Sequence, residues 1–193
     1  MSSFESRSRA TMNLSFTHRA AEREDISLLK PLMASAIREL LAEFLPADAV
    51  AASFEVMGLD TRLIDDGTYF VIECNGVIAG CGGWSRRATL FGGDHSAGRD
   101  DALLDSRTDA ARVRAMYTSP PFARRGIGRL VLQLCEQAAA AEGFARMELV
   151  ATMAGEPLYR ACGYREIERF EAGTAAGIGV PLVRMAKPIS PRP

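Results

Sequence analysis

The segment PPFARRGIGRLVLQLCEQAAAAEG, Pro120 to Gly143, places two arginines and two glycines directly before a run of helical spacing. The first turn of a helix leaves about four backbone N–H groups unpaired and carries roughly half a positive charge. Glycines let the chain curl so that successive N–H groups converge on one anion, and neither Gly126 nor Gly128 has a Cβ to hold that anion away. Arg124, Arg125 and Arg129 add positive charge around the rim. The chemistry this suits is pyrophosphate binding. A Walker loop would need Lys then Ser/Thr after the glycine, and a dinucleotide fingerprint a third glycine where Val131 stands, so neither applies. Taken alone, the same string also fits a helix start with solvated arginines.

The other chemistry-bearing residue types are sparse. Cys74, Cys81, Cys135 and Cys162 form no CxxC pair, and there are two histidines, a pattern that suits neither a zinc site nor a secreted disulfide framework. They read as reduced, mostly buried residues, and no metal is expected. With 23 basic against 24 acidic residues the net charge is -1, so no global field draws the chain to nucleic acid or an anionic membrane, and any anion site must be local. No apolar run approaches the ~18–20 residues of a membrane span, and the start of the chain has no signal-peptide core. A cytoplasmic protein is expected, with residues 1–13 a disordered extension, 14–188 a single domain and 189–193 a tail.

The elements that must position the glycine loop follow from periodicity. NLSFTHRAA reads as a strand. Asp25 stands at an N-cap position ahead of Ile26, Leu29, Leu32, Met33, Ile37, Leu40 and Leu41 at helical spacing. A weaker helix spans about Ala47 to Met57. TYFVIECNGVIAGCGGWS supplies two strands joined at Asn75-Gly76, a dipeptide that tolerates the positive φ of a tight hairpin. Arg87 to Thr108 is polar and glycine-rich, with too little apolar surface to offset its ordering entropy; it reads as a mobile flap with one helical turn at Ala102 to Leu104. ARVRAMYT is a strand ended by Pro120 and Pro121, and after the glycine loop and its helix come a strand (ARMELVAT), a short helix (GEPLYRACG), a strand (YREIERFE) and a last strand (GVPLVRMAK). The fold class is mixed α/β, and the order is not that of a doubly wound sheet.

RAMYTSPPFARRGIGRLVLQLCEQAAAAEGFARMELVAT followed by PLYRACGY resembles the GCN5-related N-acetyltransferase (GNAT) family. The likeness covers Arg114 to Tyr164 as motif and about residues 14 to 188 as element order. Family members carry Gln/Arg-x-x-Gly-x-Gly/Ala, matched here by Ala123-Arg124-Arg125-Gly126-Ile127-Gly128, with Ala123 departing from the pattern. The resemblance implies a central, mostly antiparallel twisted sheet of about seven strands flanked by about four helices. It implies acetyl-CoA as cosubstrate, with Met116, Tyr117 and Thr118 lying along the pantetheine like an added strand and Arg124 to Arg129 around the pyrophosphate. By the same resemblance Tyr159, in Tyr-Arg-Ala-Cys-Gly-Tyr, is the general acid for the departing thiolate. The implied partners are acetyl-CoA and an amine acceptor, without nucleic acid or membrane, and a homodimer is left open.

Two functions stay open: direct acetyl transfer to a primary amine of a small molecule or peptide, or a non-catalytic acyl-CoA-binding or sensing module of the same fold. The strand Arg112 to Thr118 has no carboxylate where relatives place a Glu. Glu73, then Glu156 and His95, are the remaining candidate bases. Asp94, Asp100, Asp101, Asp105 and Asp109 either attract a cationic amine or form a solvated loop balanced by Arg87, Arg99 and Arg107. Cys162 reads as a packing residue, since no base lies near it in sequence.

Overall fold

A computed structural model describes residues 15–190. The expected N-terminal extension lies outside them, as do the first two residues of NLSFTHRAA. Seven strands form one sheet: β1 (Phe16–Ala20), β2 (Tyr69–Cys74), β3 (Val77–Ser85), β4 (Ala111–Thr118), β5 (Arg146–Thr152), β6 (Arg165–Ala172) and β7 (Val180–Pro188), in the order β1-β2-β3-β4-β5-β7-β6. All neighbours are antiparallel except β4 and β5. The helices are α1 (Ile26–Leu41), α2 (Ala47–Val56), α3 (Thr61–Asp65), α4 (Ile127–Ala141) and α5 (Glu156–Ala161). No described helix is long and apolar enough to cross a membrane.

Local chemistry explains most of these elements. Asn75 and Gly76 have φ of 52° and 77°, the paired positive values of the turn that matches strand twist. Asp25 holds the N-cap position of α1, but its carboxylate turns back: it accepts from the Glu22 N–H at 2.8 Å and ion-pairs with Arg19 at 2.7 Å. The Arg19 hydrogen bond holds the Asp25 carboxyl below the usual range, so it fastens β1 to the helix start. The helix α3 lies outside the sequence expectation. Five residues are too short to show a period, and the element is started by the Asp60 carboxylate accepting from the Arg62 N–H at 3.1 Å.

Two layers cover the sheet. On one face α4 packs through Val131, Leu132 and Cys135 onto Ile72, Val113 and Leu149; on the other α1 packs through Leu29, Met33 and Ile37 onto Tyr69, Val71 and Tyr117. The glycines of β3 set the depth of α4. A Cβ at Gly80 would fall 2.5 Å from Ile127 and one at Gly82 2.8 Å from Val131. Burial pushes the Cys81 thiol up to about 12 and raises that of Cys135 as well, which fits their role as packing residues.

The segment Arg87 to Thr108 departs most from expectation. In place of a helical turn at Ala102 to Leu104, Leu103 forms an antiparallel bridge with Arg87, flanked by Ala88 N–H to Ala102 O at 2.9 Å and Leu104 N–H to Arg86 O at 2.8 Å. Polar contacts supply what apolar burial does not. Arg99 ion-pairs with Asp60 at 2.7 Å, and His95 Nε2 lies 2.8 Å from the Phe54 carbonyl. The segment is therefore tied to α2, α3 and β4 instead of standing free as a flap.

Candidate active site

The parallel pair is the irregularity that makes a site. β4 and β5 pair only at Ala111 with Met147 and Arg112 with Glu148. Beyond Arg112 the β5-facing backbone groups of β4 have no ladder partner, and such groups are costly to bury unless something else bonds them. A groove of about 630 Å³ enters here, lined by residues from both faces of the sheet. Ile127, Val131 and Tyr159 line it from the α4 side, and Ile37, Leu41 and Tyr117 from the α1 side. It is a passage through the sheet.

Strand β4 is bulged where it lines the passage. The register moves from Cys81–Tyr117 to Gly83–Arg114, so Ala115 and Met116 together oppose Gly82, and Ala115 has φ 48°. That left-handed value costs a non-glycine residue about 1–2 kcal/mol. The buried Tyr69 hydroxyl donates to the Ala115 carbonyl at 2.6 Å and so helps to hold the bulge. Met116, Tyr117 and Thr118 all line the groove.

After β4 a 3-10 turn, Pro120–Phe122, leads into the glycine loop. Arg124 (φ 60°) and Gly126 (φ 88°) are left-handed on either side of Arg125, and Gly126 is the N-cap of α4. Alternating handedness of this kind turns consecutive N–H groups toward one side. The first intrahelical bond is Leu130 N–H to Gly126 O at 3.0 Å, so the N–H groups of Ile127, Gly128 and Arg129 find no carbonyl within the helix. Arg124, Gly126, Ile127, Gly128 and Arg129 line the groove; Arg125 is exposed and outside the lining. The two glycines have different reasons. Gly126 is required by its φ, with open space where a Cβ would go, whereas a Cβ on Gly128 would fall 2.5 Å from Leu158 of α5. Open space above converging N–H groups fits a phosphate.

Helix α5 brings Tyr159 to the same groove. Its ring is buried, edge-on to Tyr164 at 6.0 Å between centroids, and its hydroxyl lies 3.8 Å from the Met116 sulfur, a weak acceptor. Burial raises its pKa well above that of an ordinary phenol, so it is held protonated. Sequence-distant Tyr159 and Met116 thus meet across the β4–β5 opening.

The Acetyltransferase (GNAT) family model matches residues 34–164, from α1 through the glycine loop to the residue before β6. The chain belongs to the GNAT family. Among solved GNAT-fold structures, the GCN5-related N-acetyltransferase described as an aminotransferase, class-II, from Rhodopseudomonas palustris superposes with a TM-score of 0.67 at 17% identity, covering 92% of this chain and 99% of that one. The PaiA N-acetyltransferase from Thermoplasma acidophilum, solved in complex with coenzyme A, gives 0.60 at 11% identity over 90% and 99%. YncA from Salmonella typhimurium, solved with its cofactor acetyl-CoA, gives 0.60 at 17% over 92% and 95%. No curated protein sequence matches the chain.

Within this GNAT fold the three candidate bases are outside the described groove lining. Glu73 pairs with Arg19 at 3.0 Å on the β1 side of the sheet. Glu156 is held by Arg160 at 2.7 Å and also by Arg169, whose hydrogen bond lowers its pKa. His95 is spent on Phe54. Glu43 is the carboxylate among the described lining residues, exposed on the α1–α2 connection, and no histidine lines the groove. The loop aspartates are likewise engaged: Asp94 accepts from the Thr61 N–H at 3.0 Å, Asp101 pairs with Arg62 at 2.9 Å and Asp105 with Arg107 at 2.8 Å. Asp100 and Asp109 accept from backbone N–H groups of Ala102 and Asp105, at 2.9 and 2.8 Å.

One site-building group escaped sequence reasoning. Arg114 is buried beside the bulge, donating to Asp60 at 2.9 Å, to the Thr89 carbonyl at 2.8 Å and to the Gly92 carbonyl at 2.9 Å. Burial pulls its guanidinium down while Asp60 holds it up. The pair pins the start of α3 and the 87–108 segment to β4. Strand alternation puts Arg114 on one face with Arg112, opposite Ala111 and Val113, so the sequence reads it as a solvated position and carries no signal of its burial.

Proposed function

We propose that the chain transfers an acetyl group from acetyl-CoA directly to a primary amine of a small molecule or peptide. The observation that carries this reading is the passage through the sheet. It opens beside the glycine cradle on the α4 side and continues to the α1 side, so donor and acceptor reach one point from opposite faces. The relatives solved with coenzyme A and acetyl-CoA support the assignment of the cradle end.

The residues divide the work by position. Backbone N–H groups of Ile127, Gly128 and Arg129, with the αL turns at Arg124 and Gly126, hold the pyrophosphate, and Arg124 and Arg129 add charge. The unpaired edge of Met116, Tyr117 and Thr118 hydrogen-bonds the pantetheine amides as a strand would. A β4 N–H directed at the thioester carbonyl favours the charge that develops on its oxygen, an effect of about 2.7–4 kcal/mol in comparable sites. The neutral amine's lone pair forms the N–C bond as the C–S bond breaks. Tyr159 gives its proton to the departing sulfur, and the proton lost from nitrogen returns through water to the phenolate. The net products are the amide and the free thiol.

The shortage of a carboxylate or histidine in the described lining favours a second reading, a GNAT module that binds acyl-CoA without turnover. Release of free CoA thiol from acetyl-CoA, stimulated by amines, separates the two. Amine-dependent release supports acetyl transfer; CoA binding by calorimetry without any amine-dependent release leaves the binding module.

A further inference from the structure

The acceptor end of the groove has a composition of its own. Leu40, Phe44, Met57, Leu90, Phe91 and Leu182 line it, contributed by α1 and the connection that follows it, the α2–α3 connection, the 87–108 segment and β7. The charges near this wall are already engaged. Both terminal nitrogens of Arg114 are occupied, by Thr89, Asp60 and Gly92. Asp60 is shared between Arg114 and Arg99, and the loop aspartates bond to Thr61, Arg62, Arg107 and backbone groups. The remaining carboxylate of the described lining, Glu43, is exposed.

We propose that the acceptor is a small lipophilic monoamine, an aryl- or alkylamine with no second charge on its body, an inference that rests on the acetyl-transfer reading above. An acceptor carboxylate would be desolvated here without a free guanidinium. A second ammonium would be desolvated among these apolar side chains, because the lining carboxylate, Glu43, is exposed and stays in water. Either burial is costly, whereas an alkyl or phenyl body gains from leaving water. No histidine and no buried carboxylate stands in the described lining, which points the same way, because a wall of this kind favours the uncharged amine that attacks. The reaction is then RNH₂ + acetyl-CoA giving RNHCOCH₃ + CoA thiol, with the nitrogen proton replacing the one Tyr159 gives to sulfur.

Matched pairs test this with the full-length protein. Hexylamine is compared with hexamethylenediamine, and phenethylamine with phenylalanine, each by CoA thiol release; calorimetry then measures each amine against the CoA-bound protein. The expected kcat/KM is at least ~30-fold higher for the monoamine in both pairs, and phenethylamine binds where phenylalanine does not. Leu40→Asp, which places a carboxylate within the apolar wall, should shrink the hexylamine preference at least ~10-fold with CoA affinity unchanged. Should that variant fail to fold, the wild-type ratios still decide. Equal or reversed ratios overturn the substrate class while leaving acetyl transfer in place. CoA binding with no thiol release from any amine overturns acetyl transfer and this inference with it.

Discussion

The two ends of the groove are built by different means. The cradle end is one continuous stretch, Thr118 to Arg129, whose working parts are backbone N–H groups and two left-handed residues. The acceptor end is assembled from side chains of four separated segments, and the Arg114 guanidinium that lines it is bonded into a network with Asp60 and Arg99. A backbone site tolerates side-chain change as long as the dihedral angles survive. A side-chain site depends on every element that brings a wall to it. On the proposed reading, phosphate binding therefore occupies the local half, and discrimination between acceptors the assembled half.

The substitution with the largest expected effect lies between the two ends. Tyr159→Phe keeps the ring contact with Tyr164 and should lower kcat about 10²–10⁴-fold with little change in acetyl-CoA affinity. The hydroxyl's partner is the Met116 sulfur at 3.8 Å, a weak acceptor, so a thermal melt should hardly move. Near-normal kcat in the folded variant would leave water as the thiolate's proton source.

At the acceptor end, Asp60→Ala strands the buried Arg114 charge. Loss of one partner of such a pair costs about 3–5 kcal/mol, and denaturant unfolding should report it. Because Asp60 also holds Arg99, the loss should fall on acceptor KM before it falls on CoA binding. An equal loss of CoA affinity would erase the distinction between the two ends.

At the cradle end, Gly126→Asp places a carboxylate in the open space where a phosphate fits, at a φ that Asp adopts more readily than most residues. CoA affinity should fall about 100-fold by calorimetry, and stability by only about 1 kcal/mol, since like charges at close range repel while the backbone is retained. Gly128→Asp is a poorer test, because its Cβ would press on Leu158 and disturb helix packing as well as binding. Unchanged affinity in Gly126→Asp would remove the loop from the cofactor site.

The smallest effect is one of dynamics. Amides of Ala88 and Leu104, bonded across the bridge to Ala102 and Arg86, should exchange more slowly than those of Ala97 and Gly98 in the free protein. Uniformly fast exchange over residues 87–108 would restore the mobile flap that composition alone suggested. Composition misleads here because it counts apolar area and not ion pairs, and Arg87–Asp66 at 2.7 Å and Arg99–Asp60 at 2.7 Å replace a missing apolar core.

What the sequence by itself determined is what interactions within a few residues can specify. The Asn75-Gly76 turn, the start of α4 at its left-handed glycine and the alternation of strands and longer helices are all of this kind. They leave a local trace in residue type and period. Only the tertiary structure decided where β4 and β5 part, that Gly128 serves Leu158 as well as the loop, that Glu73 belongs to Arg19, and that Arg114 meets Asp60 across 54 residues of chain. Those outcomes depend on which segments are neighbours in space. A partner 54 positions away leaves no periodicity to read, and desolvation acts on a group only after the fold has closed around it.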